Sequence, residues 1–169
     1  PSADVREAAE AALAARGPEG LGAAEPYLQA ERERTVRSAL RVIARTGLRD
    51  ARPLLVFELR RLARELWQLA IAADRLPDDP RPAARLLRAA FLDAQARQQR
   101  LAFAALALLE RRAVVRKVLR GLADPGRSPR IDALEVLSNL GDREAAALLV
   151  LLHESGPLSE RARGVAGLV

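Results

Sequence analysis

"RIDALEVLSNLGDREAAALLVLLHE", residues 130–154, decides the fold. Apolar side chains recur at spacings of three and four: Ile131, Leu134, Leu137 and Leu140 stripe one helix, and Leu148, Leu149 and Leu152 stripe another. Between them Gly141 is a C-terminal stop and Asp142 an N-cap. The segment reads as helix, corner, helix, and it carries almost no side chain able to do chemistry. Its product is surface.

Working outward, "TVRSALRVIARTGLRDARPLLVFELR" superposes on "PRIDALEVLSNLGDREAAALLVLLHE", with Ala39-Leu40 on Ala133-Leu134 and Gly47 on Gly141. That is an internal repeat. Val36, Leu40 and Ile43 face inward on the earlier unit, Gly47 closes its first helix, and Asp50 caps a longer second one. On that long helix the apolar seam runs Leu55, Leu59, Leu62, Leu66, Leu69 and Ala73. After the break "RLPDDPRP" at 75–82 it resumes as Leu87, Phe91, Ala94, Gln98, Leu101, Ala105 and Leu108. Two long helices joined by a Pro-rich turn are expected to lie antiparallel, seam to seam. Gln98 within the seam is either a register-setting polar contact or the mark of a solvated tip.

The ends follow the same period. Ser2 caps a first helix with Val5, Ala9, Ala12 and Leu13 on one face, "Gly17-Pro18" stops it, and "GAAEPYLQA" is a short second helix. "RRAVVRKVLRGL" places Val115, Val118, Leu119 and Leu122 inward, and "ADPGRSPR" is a turn. No stretch alternates with period two, so the class is all-α. The approximate units are 2–31, 33–75, 81–122 and 128–154, with a further helix starting in 158–169. The closing "LSERARGVAGLV" suggests a piece of something longer, or a disordered tail.

Composition agrees. Of 169 residues, 50% are apolar, yet the aromatics are three Phe, one Tyr and one Trp, so Leu, Ala and Val must build the core. The absence of Cys removes disulfides and thiolate metal sites and fits a reducing, cytoplasmic setting. The uncharged runs fall well short of the roughly 20 residues of a membrane span, and the N-terminal stretch, with Asp4, Glu7 and Glu10, reads as a helix and not a secretory signal.

Helix pairs with Gly and Asp at the corner and Pro early in the second helix, Pro26 and Pro53, resemble HEAT repeats over nearly the whole chain. More narrowly, the "ALEVLSNL" helix, the Asp-Arg-Glu corner after it and the long hairpin upstream resemble the HEAT domain fused to bacterial transporters of the ATP/ADP-translocase type. The resemblance implies a right-handed α-solenoid of about four helix pairs, one extended into a long antiparallel hairpin. It implies a cytoplasmic appendage of a membrane protein and carries no catalytic residue over.

Charge gives direction. Residues 51–130 hold seventeen basic residues and eight acids, whereas 1–50 balance and 131–169 are acidic by three. The excess lies on the hairpin and the helix after it, and the expected interaction patch is Arg60, Arg61, Arg64, Arg111, Arg112, Arg116, Lys117 and Arg120. Such a field attracts acidic protein surfaces, phosphates or anionic lipid. An ordinary solvated face is the bland alternative, because 27 of the 28 basic residues are Arg, as a GC-rich coding bias would write them.

Other chemistry is thinly supplied. His153 is the only His, and it stands in the last turn of its helix where the dipole favours imidazolium, so its expected role is structural. "GPEGLG" at 17–22 lacks the Lys-Ser/Thr of a phosphate loop, and "DDP" at 78–80 is an acidic turn. No Ser-His or Cys-His pairing is on offer, and no cofactor is implied. Nucleic-acid binding, as in HEAT-like DNA-alkylation glycosylases, is the rival reading. Trp67 stands alone for stacking or as a partner anchor, Tyr27 is remote, and Phe57, Phe91 and Phe103 fall by default into the core. The sequence therefore points to a non-enzymatic scaffold or regulatory docking module.

Overall fold

The computed structural model describes residues 2–47, 49, 51–77 and 81–163. The elements are α1 (Ala3–Ala15), α2 (Pro18–Ala24), a 3-10 turn (Glu25–Gln29), α3 (Glu33–Arg45) and α4 (Ala51–Asp74). There follow α5 (Pro82–Leu109), α6 (Arg112–Ala123), α7 (Arg127–Ser138), α8 (Arg143–His153) and α9 (Leu158–Arg163). No strand occurs among the described residues, and the class is all-α. None of the described helices is long and apolar enough to cross a membrane.

The corners form as their residue types require. The Ser2 hydroxyl accepts from the Val5 amide at 3.3 Å. Gly47 and Gly141 adopt φ +64° and +66°, the left-handed backbone that favours glycine after a helix. The Asp142 carboxylate accepts from the Glu144 and Ala145 amides and starts α8. Pro18 occupies the first turn of α2, so that helix begins before the expected "GAAEPYLQA", and Pro26 falls in the 3-10 turn that follows. The Asp50 cap and the turn at 78–80 lie outside the described residues.

α4 is the axis of the core. Its Leu55, Leu59, Leu62 and Leu66 are buried against antiparallel α5, which contributes Leu101, Ala102, Ala105 and Leu106. The seam does not run the length of the hairpin. Leu69, Ala73, Phe91 and Ala94 are half-buried, and Leu86 and Leu87 stand exposed at the outer end of α5. Gln98 is half-buried and bridges the two helices by donating to Glu65, so it is a polar contact across the seam. Beyond it Leu66, Trp67 and Ala70 of α4 stay buried while the facing stretch of α5 is at most half-buried, and only the outer end of the hairpin is solvated.

α4 also packs on α8, and Gly141 at the α7–α8 corner sits against Leu59 and Leu106. Helix pairs in a strict solenoid touch only their sequence neighbours. Here α4 and α8, from the second and fourth expected units, pack directly on each other.

Several expected faces are turned. On α1, Val5 is 59% exposed, Ala9 and Ala12 are also exposed, and the buried residues are Glu10 and Ala14. The reason is an ion pair: Glu10 accepts from Arg41 Nε at 2.8 Å and Nη2 at 2.5 Å, which binds α1 to α3. On α7, Ile131 faces out and Ala133 and Leu137 face in, because α6 and α7 cross closely where Gly121 meets Ala133 and the Pro129 backbone. Leu119 is likewise partly exposed, and Phe57 is 62% exposed instead of filling the core.

Candidate docking site

α6 is built around two buried side chains, Val115 and Val118. With those inward, helical spacing forces Arg112, Arg116 and Arg120 into one outward row and Lys117 beside it. Arg111, the N-cap residue, holds extended backbone at φ −61° and ψ 117° just ahead of the row. All five cations are exposed. None makes a side-chain hydrogen bond or ion pair with a described residue. Two of them stand at the amino end of α6, where the helix dipole is positive, no acidic residue occupies the first turn and no side chain caps the helix.

The α4 arginines of the expected patch behave differently. Arg60 forms a two-pronged contact with Asp142 at 2.6 and 2.7 Å, and Arg64 reaches Glu144 at 2.6 Å. Arg61 is held by Glu58 at 2.8 Å and Glu65 at 2.5 Å and donates to the Leu28 carbonyl. Arg60 and Arg64 tie the amino end of α8 to α4, while Arg61 ties α4 to the 3-10 turn. The patch is thus divided into internal clasps on α4 and unpaired cations on α6. Sequence reasoning could not separate them, since Asp142 and Glu144 are about eighty residues away from their partners.

Beside the α6 row lies an open cleft of about 610 Å³. Helix α5 from Ala96 to Leu108 forms its floor, α3 one wall and α6 the other. Phe103, Ala104, Ala107, Leu108 and Leu119 supply apolar surface, and Arg37, Arg41, Arg100, Arg112 and Arg116 stand around it. Arg37 and Arg100 share Glu33, at 3.1 and 2.9 Å, and Arg41 holds Glu10. Glu33 and Glu10 thus pair Arg37, Arg100 and Arg41, with Asp93 near Arg100 and Glu7 near Arg41, and leave Arg112 and Arg116 without a carboxylate. Hydrogen bonds from Arg100 hold the Glu33 carboxyl below its ordinary value of 4.5, and those from Arg41 do the same for Glu10. Both therefore stay ionised near neutrality, and the positive excess persists. The buried Nε of Arg37 has no hydrogen-bond partner among the described residues. The cleft, Leu119's place in it and the Arg37 wall were missed from sequence, because they arise where three separate helices converge.

The remaining candidates are accounted for by packing. Trp67 is 5% exposed and belongs to the core, so it is no partner anchor. Phe103 is buried, Phe91 half-buried, and Tyr27 exposed. His153 packs edge-on to Phe103 and makes Nδ1 contact with the Leu149 carbonyl and Nε2 contact with the Gln99 amide. Burial pushes the imidazole below its ordinary value of 6.5, with Arg130 and Arg161 adding to the effect. The dipole expectation of a favoured imidazolium is thereby reversed. Among the described residues, no three His, Cys, Asp or Glu side chains gather where they could hold a metal ion.

Comparisons with protein-family models, curated proteins and solved structures gave no match to this chain.

Proposed function

We propose that the chain is a non-enzymatic helical-repeat docking module whose exposed α6 cations meet an acidic protein surface, on a separate partner or on another domain of a longer polypeptide. The observation that carries this is the set of five cations without counter-charge on α6, two of them at the helix end that disfavours them. Residues that break a local rule without internal compensation are where function is expected. The α3–α4 and α7–α8 pairs, with matching left-handed glycines at Gly47 and Gly141, support the HEAT-like reading. The resemblance to transporter-fused HEAT domains is the ground for reading the module as a cytoplasmic appendage of a membrane protein.

Reversal of Arg111, Arg112, Arg116 and Lys117 to Glu tests the assignment. Binding to poly-L-glutamate is expected to fall at least 10-fold, with thermal unfolding within about 0.5 kcal/mol of the parent because all four side chains are exposed. Undiminished binding contradicts it. Tighter binding to duplex DNA than to poly-L-glutamate, falling steeply with salt, would transfer the function to nucleic acid.

A further inference from the structure

We infer that the cleft between α3, α5 and α6 receives an acidic amphipathic helix from the partner, a site that rests on the docking reading and gives the α6 cations their place in it. The floor from Ala96 to Leu108 spans about 18 Å, the length of three helical turns. Its small side chains at Ala96, Ala104 and Ala107 allow another helix to come close, while Leu108 and Leu119 offer apolar contact over the buried Phe103. Ala104 and Ala107 are half-buried and Leu119 is 37% exposed, so the apolar surface is reachable.

Charge selects the sign of the occupant. Of the five arginines around the cleft, Arg37, Arg41 and Arg100 are offset by Glu33 and Glu10, with Asp93 and Glu7 near them, whereas Arg112 and Arg116 have no described partner at all. A helix with Leu or Ile at spacings of three and four would lay that stripe on the α5 floor. Glu or Asp on both sides of the stripe would then reach Arg37 and Arg100 on one margin and Arg112 and Arg116 on the other. A flat lipid surface could meet the α6 row but not the recessed floor. The cleft is open to solvent and not enclosed, which suits a segment of chain better than a buried small molecule.

The test uses a fluorescein-labelled 18-residue peptide of Leu and Glu with Leu on one helical face, a scrambled isomer of the same composition, and poly-L-glutamate. Fluorescence anisotropy is expected to show the amphipathic peptide binding at least 10-fold more tightly than the scramble. Ala104→Trp, which fills the trough, should erase that preference while leaving poly-L-glutamate binding intact; the uncharged Leu119→Gln serves the same purpose if the tryptophan variant does not fold. Equal affinity for the two peptides, or a preference that survives both substitutions, overturns the cleft assignment and leaves the docking reading standing. Failure of both peptides and poly-L-glutamate to bind overturns both.

Discussion

Glu10 is 5% exposed on an Ala-rich helix, and it is satisfied by a residue 31 positions away. Arg41→Ala would leave that buried carboxylate with only Ser38 and the longer Arg6 contact at 3.9 Å, at a cost of about 2 kcal/mol measured by urea unfolding. Replacing both residues together, Glu10→Leu with Arg41→Met, should recover most of the loss, because the stranded charge is gone. α1 was misread for this reason: a run rich in Ala has apolar atoms on every side, and the sequence does not reveal which Arg a Glu will meet. His153 was seen as structural, and its neighbours make it so, but with the opposite charge preference. Because burial lowers its native value below 6.5, stability is full above that pH and falls as pH drops from 6.5 towards the lowered value. His153→Gln should flatten the slope between pH 6.5 and 5, a window above the titration of Glu10, Glu33 and Asp142, all held below their ordinary carboxyl values. An unchanged slope would locate the titration elsewhere.

At the scale of elements, the corners were the most legible part of the chain. Gly47 and Gly141 both stop their helices in left-handed backbone, yet their surroundings differ. A Cβ at Gly47 meets open space, whereas one at Gly141 would come within 2.7 Å of Leu106 and 3.3 Å of Leu59. Gly47→Ala should therefore cost about 1 kcal/mol from the backbone alone, and Gly141→Ala more, since the methyl groups of the fully buried Leu106 and Leu59 must give way as well. Equal melting shifts for the two would contradict the packing described for that corner. The helical period also identified the long hairpin and the Leu seam of α4. It did not show that the seam on α5 ends near Gln98, because a heptad pattern continues along a helix whether or not a neighbour covers it. Phe57 and Ile131 fell on the wrong side for a related reason. Side-chain size argues for burial, but the close crossing at Gly121 and Ala133 sets how α7 is rotated.

For the whole molecule, an all-helical fold and the concentration of positive charge could be read directly from the residues. The division of that charge could not. Arg60, Arg61 and Arg64 resemble the α6 cations in sequence, but contacts between α4, α8 and the 3-10 turn neutralise the first group and leave the second bare. The cleft shares this origin, since it exists only where α3, α5 and α6 converge. The direct measurement is site-specific photo-crosslinking in the cells that make the protein, with a photoreactive amino acid placed at Arg116 and, as control, at Arg85 on the exposed outer part of α5. Adducts specific to position 116, mapping by mass spectrometry to an acidic protein segment and disappearing with Arg112→Glu, are the predicted result. Adducts with nucleic acid or lipid, or the same adducts from both positions, would contradict the docking function assigned to α6.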